Sequence, residues 1–326
     1  MPTQADENKK YAFDRAETGA FLKKHYGLVP KQYVRITSGI INTSVKIRTE
    51  DAEYVLRIYQ KEKSAKEIER ELAVIAVMAR NGIPVASATP GLNRRKIQTL
   101  ETRNGSAHPA VLFPFLEGQH TGPDQKNLIP QIAEIQGMMH RIGEKELPAR
   151  YTRSIAELMK LLDDERTSAQ GKLRTHPDIG NILEHDYKML RKEYEGKQNA
   201  IGKLPFALCH LDYDSSNILN DGTAVTGVID FDDIAPVPPI LDVGFSLWWW
   251  CYHNPDDRLN VAKLYLVSYN RARKISDAER DMLPLFMRIR NLTLAYLLFV
   301  NIPQRPSLQS LRKSAEFEEW LQKTKL

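Results

Sequence analysis

Asp212 stands five residues before Asn217, and a second acid, Asp230, lies thirteen residues past that amide. The first pair belongs to His210-Leu211-Asp212-Tyr213-Asp214-Ser215-Ser216-Asn217, the third residue to Val228-Ile229-Asp230-Phe231-Asp232-Asp233. A carboxylate can position an attacking hydroxyl by accepting its hydrogen. An amide oxygen and a second carboxylate are hard ligands of the kind Mg²⁺ takes, with phosphate oxygens and waters filling the rest of its shell. Acid, amide and acid in this order fit phosphoryl transfer from a metal-bound nucleotide. Asp212 is therefore the candidate hydroxyl positioner, and Asn217 with Asp230 the candidate metal pair. Asp214, on the same loop, is a candidate acceptor contact.

These residues need a scaffold that brings them to one place. Asn220-Asp221-Gly222 carries turn chemistry between the apolar runs Ile218-Leu219 and Val225–Ile229. That predicts a hairpin, which returns Asn217 and Asp230 to the same end. Ahead of it, residues 11–26 have helical spacing and stop near Gly27. Tyr33–Ile36, Val45–Ile47 and Glu53–Tyr59 alternate like strands. Residues 64–80 return to helical periodicity, and Ser64 with Glu67 forms a candidate capping box. Strands are expected over 96–102 and 109–115. Beyond about residue 117 the pattern is mostly helical, and the polar stretches 164–180 and 194–203 are expected as long loops.

Net charge is +5, too diffuse for a nucleic-acid surface, and Arg94-Arg95-Lys96 is a short loop run without aromatic neighbours. Two cysteines, Cys209 and Cys251, give no disulfide framework and suit a reducing cytoplasm. Residues 1–10 lack the apolar core of a secretory signal. The apolar runs 243–252 and 292–302 are too short to span a membrane and read as buried helices.

The paired motifs His-x-Asp-x-x-x-x-Asn and Ile-Asp-Phe resemble those of the aminoglycoside phosphotransferase and choline kinase superfamily. The layout is similar to the type II homoserine kinase branch over roughly residues 34–245. The resemblance implies an α+β, bilobal protein-kinase-like fold, with a β-rich N-lobe (1–112), a linker (113–118) and a mostly helical C-lobe (119–326). It implies ATP and Mg²⁺ as cofactors. Ser38 and Asn42, in the glycine-poor stretch Thr37–Ser44, would touch phosphate. Arg57 stands where the phosphate-binding strand lysine is expected, anchored by Glu71 on the next helix. Phe113 and Phe115 fall in the linker region that would hold adenine. In this family pattern His210 and His140 buttress the fold. Leu211 stands where most such kinases have glycine, which bears on the conformation of the loop.

Asp242 reads as an N-cap or loop anchor. Trp248-Trp249-Trp250 fan over about 200° of a helix, so one stripe cannot bury all three. Trp249 is the candidate acceptor wall. From 235 to 326 there are 13 Lys/Arg against 9 Asp/Glu, a balance that disfavours a polycationic acceptor. Arg288 and Arg290 lie on a helix expected beside the acceptor site, one of them to meet an acidic group of the acceptor, and Arg288 is the candidate. The reading is a kinase of a small hydroxylated metabolite, homoserine-like or similar, with no nucleic acid or membrane partner. An aminoglycoside phosphotransferase and a weakly catalytic nucleotide-binding regulator are the alternatives.

Overall fold

The computed structural model describes residues 12–36, 42–146, 155–301 and 308–324. The chain divides into two compact units, Met1–Glu117 and Gly118–Leu326.

Among the described residues, the first unit begins with helix α1 (Arg15–Tyr26). Asp14 caps its N-terminus by accepting from Glu17 N, and Gly27 ends it at φ 69°, a left-handed conformation that costs glycine little. Strands β1 (Gln32–Ile36), β2 (Thr43–Arg48), β3 (Glu53–Ile58), β4 (Ile97–Glu101) and β5 (Ala107–Pro114) form one antiparallel sheet in the order β1-β2-β3-β5-β4. Period-2 alternation divides its residues between two faces. Val45, Ile47, Leu56, Ile58, Ala110 and Leu112 pack with Phe21, Leu22 and Tyr26 of α1 into one core. The intervening residues Ser44, Lys46, Val55, Arg57, Val111 and Phe113 are paired across strands on the other face. Helix α2 (Ala65–Arg80) follows β3, and the expected capping box is present: Ser64 accepts from Glu67 N while Glu67 accepts from Ser64 N.

In the second unit, β6 (Gln119–His120) pairs with β8 (Ile218–Asn220), which pairs with β9 (Val225–Val228). A two-stranded ribbon joins β7 (Ala207–Cys209) to β10 (Ala235–Val237). The helices are α3 (Ile129–Lys145), α4 (Ile155–Leu173), α5 (Pro177–Ile201), α6 (Pro239–His253), α7 (Arg258–Ala272), the short α8 (Asp277–Arg280), α9 (Leu283–Asn301) and α10 (Leu308–Lys323). Helix α3 lies hard against β7: a Cβ on Gly143 would sit 2.4 Å from Leu208 O. Among the described residues, no helix is long and apolar enough to cross a membrane.

One expectation is corrected here. The polar stretches 164–180 and 194–203 are mostly helix, not loop, because α4 and α5 run through them. Each helix buries a thin stripe: Ile155, Met159, Leu162, Ala169 and Leu173 in α4, and Leu183, Asp186, Leu190, Tyr194 and Ile201 in α5. Packing of such a stripe outweighs a polar composition on the remaining faces.

Candidate active site

The loop 210–217 leaves β7 and enters a single 3₁₀ turn, Ser215–Asn217. Asp214 caps that turn through its carboxylate, which accepts from Ser216 N at 2.8 Å. Asn217 donates from its side-chain nitrogen to both Asp212 O and Asp212 Oδ2, each at 2.9 Å. This commits the amide hydrogens to Asp212 and turns the amide oxygen, the harder ligand atom, away from it. At the next turn of the hairpin, Ile229 N donates to Asn217 O at 3.0 Å, so Asp230 follows directly beside Asn217. Asp230 takes φ 65°, a left-handed conformation that aspartate tolerates better than most residues. The turn itself is closed by Asn220, which accepts from Gly222 N, and by Asp221, which accepts from Thr223 N and Ala224 N.

The loop is pinned from beneath. Leu211 has φ 65° and its N–H donates to Asp242 Oδ1 at 2.7 Å. The conformation glycine would supply is thus kept by a leucine, at a cost of about 1–2 kcal/mol. Burial of its side chain, 5 % exposed, offsets that cost. His210 is fully buried; Asp212 N donates to its Nδ1, so Nε2 carries the proton and donates to Ile229 O at 3.0 Å. The imidazole therefore ties the Asp212 segment to the Asp230 segment. Tyr213 donates to Ile132 O at 2.9 Å, and Ser246 donates to Tyr213 O at 2.7 Å.

Asp242 is the hub of this support and not a helix cap, since α6 begins three residues earlier. Its Oδ2 accepts from His140 Nε2 at 2.9 Å and Gln136 Nε2 at 3.1 Å. Gln136 in turn accepts from Tyr265, and His140 Nδ1 lies 2.7 Å from the Tyr269 hydroxyl. Burial alone would raise the Asp242 carboxyl; its donors, His140 foremost, outweigh that and hold it below the ordinary value. Cys209 also approaches His140 and Asp242, but burial pushes its thiol well up, away from the thiolate a metal would need. A group with a depressed pKa stabilises the fold above the ordinary carboxylate range and loses that contribution as pH falls through its folded value. Asp242→Asn is expected to cost about 2–4 kcal/mol at pH 7, because one of its donors is left facing an NH₂ group. Urea denaturation measures this; a change below about 0.5 kcal/mol would remove Asp242 from its role as anchor.

Above the loop, Arg290 of α9 donates from Nη2 to Asp212 Oδ1 at 2.8 Å. Its guanidinium carbon lies 5.1 Å from the Phe245 ring centroid. Asp214 lies close enough to feel both: burial and the Asp212 charge raise its carboxyl, while Arg290 and the Ser216 hydrogen bonds pull it down less. Trp249 is half-buried, in contrast to Trp248 and Trp250, and rests on His253 with ring centroids 4.5 Å apart. Burial holds the His253 imidazole below its ordinary pKa, against the Trp249 O hydrogen bond; the Lys313 charge lowers it further, and Asp214 opposes this least.

Arg288 departs from the expectation. Two residues along a helix differ by about 200° in direction, so Arg288 and Arg290 point to opposite sides. The Arg288 guanidinium is buried and paired with both Glu193 and Glu318. The arginine that meets Asp212 is Arg290, not Arg288. Arg288→Met should lower stability by about 3–5 kcal/mol, because Glu318, 1 % exposed, loses its counter-charge. Thermal unfolding tests this, and the folded fraction should keep its acceptor KM; an unchanged melting temperature with a raised KM would return Arg288 to the acceptor.

In the first unit, Arg57 Nη1 lies 3.8 Å from Glu71 Oε1, which also accepts from the Tyr59 hydroxyl at 3.0 Å. Glu71 is the buried acid of α2; Glu67 is spent on the capping box and Glu69 faces solvent. Phe113 is buried on the Arg57 face of the sheet, and Lys46 Nζ lies 3.5 Å above the Phe115 ring. Asn42 is buried at the start of β2, and Ser38 lies outside the described residues. Sequence reasoning did not find His253, Phe245 or the Gln136–Tyr265 link. Phe245 and the Gln136–Tyr265 link act through contacts across helices, whereas His253 lies one turn beyond Trp249 on the same helix.

Three comparisons bear on this arrangement. A homoserine kinase from Rhodopseudomonas palustris (strain BisB5) is 28 % identical over 296 residues, covering 88 % of this chain and 85 % of that protein. The solved structure of a microcompartment-associated aminopropanol kinase superposes with a TM-score of 0.75 at 19 % identity, covering 94 % of this chain and 96 % of that one. An amicoumacin kinase solved with AMP-PNP and Ca²⁺ gives 0.73 at 16 % identity, covering 94 % of each chain. These structural likenesses bear out the α+β, kinase-like fold. The model of the phosphotransferase enzyme family matches residues 32–274. The chain therefore belongs to the phosphotransferase enzyme family and is a small-molecule kinase.

Proposed function

We propose that this kinase transfers the γ-phosphoryl group of ATP, with Mg²⁺, to the hydroxyl of a homoserine-like small molecule. The observation that carries the reading is the geometry around Asp212. Its carboxylate is fixed on one oxygen by Asn217 and on the other by Arg290, while the loop beneath it is held by Asp242. In the transfer, the bond from the γ-phosphorus to the bridging oxygen of ADP breaks and a bond to the acceptor oxygen forms. The hydroxyl proton passes to Asp212 or through it to water. The products are ADP and a phosphate monoester.

The donor set fits a hard divalent cation. The Asn217 amide oxygen makes no hydrogen bond among the described residues, and Asp230 follows it at the end of the same hairpin. Asn217 and Asp230 would hold the ion, which supplies charge neutralisation on the phosphates. Ser38, Asn42 and Arg57, with Glu71 behind it, are assigned to phosphate, and Phe113 and Phe115 to adenine. On this assignment the N-lobe is 1–112, the linker 113–118 and the C-lobe 119–326.

The homoserine-like acceptor is supported by the homoserine kinase relative and by a guanidinium beside Asp212. The test is acceptor-dependent ADP release over a panel of L-homoserine, amino alcohols, choline and aminoglycosides. Turnover of L-homoserine above the others supports the reading. Preferred turnover of an aminoglycoside would replace the acceptor and leave the kinase assignment intact.

A further inference from the structure

The side chain of Arg290 is under-used by the protein around it. Of its five N–H groups, one is donated to Asp212 Oδ1. Nε is buried without a partner. Nη1 makes no hydrogen bond among the described residues, yet unlike Nε it is not sealed from solvent. The side chain as a whole is 19 % exposed. Nε is closed to any ligand, so Nη1 is the donor that an acceptor from outside the chain can reach, and leaving it unmatched in a half-buried place is costly. Phe245 lies against the guanidinium and Asp212 fixes one corner of it, which sets its plane. A planar fork held this way suits a carboxylate.

The surroundings narrow the ligand further. Asp212 is paired with the guanidinium, and Asp214 lies near enough to feel the charges of both. Asp214 spends one oxygen on Ser216 and has no hydrogen bond to Arg290. An acceptor carrying both an ammonium and a carboxylate matches this pattern better than one carrying either alone.

We propose that Arg290 is the specificity-determining residue of the acceptor site, binding the carboxylate of a hydroxylated α-amino acid whose hydroxyl lies at Asp212. The proposal rests on the kinase reading above for the hydroxyl, but its recognition step stands on geometry alone. It makes one comparison decisive. L-Homoserine and 3-aminopropan-1-ol share the hydroxyl, the chain length and the amine, and differ only in the carboxylate.

The experiment measures kcat/KM for both alcohols with the intact enzyme, Arg290→Met and Arg290→Lys. It also measures binding of both to each enzyme by tryptophan fluorescence, which Trp249 beside His253 should report. Arg290→Met removes the Asp212 contact as well, so some loss common to both alcohols is expected. The informative quantity is the ratio of the two. The intact enzyme should favour L-homoserine, and Arg290→Met should cut that preference about 10- to 100-fold, mostly through KM. Arg290→Lys should restore part of it, since it keeps the charge and loses the fork. A preference unchanged in Arg290→Met, with both alcohols losing equally, would reduce Arg290 to a support for Asp212 and overturn the proposal. So would an intact enzyme that prefers 3-aminopropan-1-ol. Fluorescence separates this from failure of the kinase reading: Arg290-dependent binding of L-homoserine without any turnover would sustain the proposal and remove the assigned reaction.

Discussion

Asp212→Asn is expected to lower kcat by roughly 10²–10⁴ while leaving ATP affinity nearly unchanged, the range typical of a lost general base. Asparagine keeps the size of the side chain but has one acceptor oxygen, so either the Asn217 or the Arg290 contact is lost, while the loop stays pinned from beneath. His210, Tyr213 and Asp242 hold that loop independently of the Asp212 carboxylate. The variant should therefore stay folded, with a melting temperature lowered by no more than several degrees for the one lost charged hydrogen bond. Steady-state kinetics with the true acceptor checks this. Near-normal turnover would show that another group positions the hydroxyl.

The second large effect is expected from Asp230→Ala. Here both activity and metal-dependent nucleotide affinity should fall, because a carboxylate ligand is removed. A loss on the order of 10²–10³ in kcat/KM corresponds to the several kcal/mol that a bound cation contributes to phosphoryl transfer. Calorimetry with ATP, with and without Mg²⁺, separates this from the Asp212 effect. In Asp230→Ala the Mg²⁺-dependent part of ATP binding should disappear; in Asp212→Asn it should persist. Alanine at a position with φ 65° also brings backbone strain, so Asp230→Asn, which tolerates that conformation, serves as the control.

Much of this scaffold is legible in the sequence because it rests on local rules. The Ser64–Glu67 capping box, the Gly27 helix stop and the Asn220–Gly222 turn are decided within four residues of one another, and each is present. The hairpin that sets Asn217 beside Asp230 follows from a turn between two apolar runs. The separation of the sheet into two faces follows from alternation alone.

What the sequence hides is decided by tertiary contact. Residues 164–180 and 194–203 are polar enough to suggest loops, yet a few apolar side chains suffice to dock α4 and α5. Arg288 and Arg290 are equivalent in composition and sit two apart, and only the placement of Glu193 and Glu318 decides which is structural. Helical geometry predicts that one of three consecutive tryptophans escapes burial, and Trp249 does. That it rests on His253 is a matter of which rotamers the neighbouring turn allows. Asp242 is legible as a loop anchor, but the partners it uses are not, since its three donors come from residues 31, 102 and 106 positions away.

The most direct measurement is a phosphorus NMR time course with enzyme, ATP, Mg²⁺ and L-homoserine. The γ-phosphate signal of ATP should be replaced, one for one, by a phosphate monoester on the homoserine hydroxyl, and Asp212→Asn should slow the conversion by roughly 10²–10⁴. ATP left intact, or converted to ADP and inorganic phosphate with no ester from any hydroxylated acceptor, would contradict the assigned reaction.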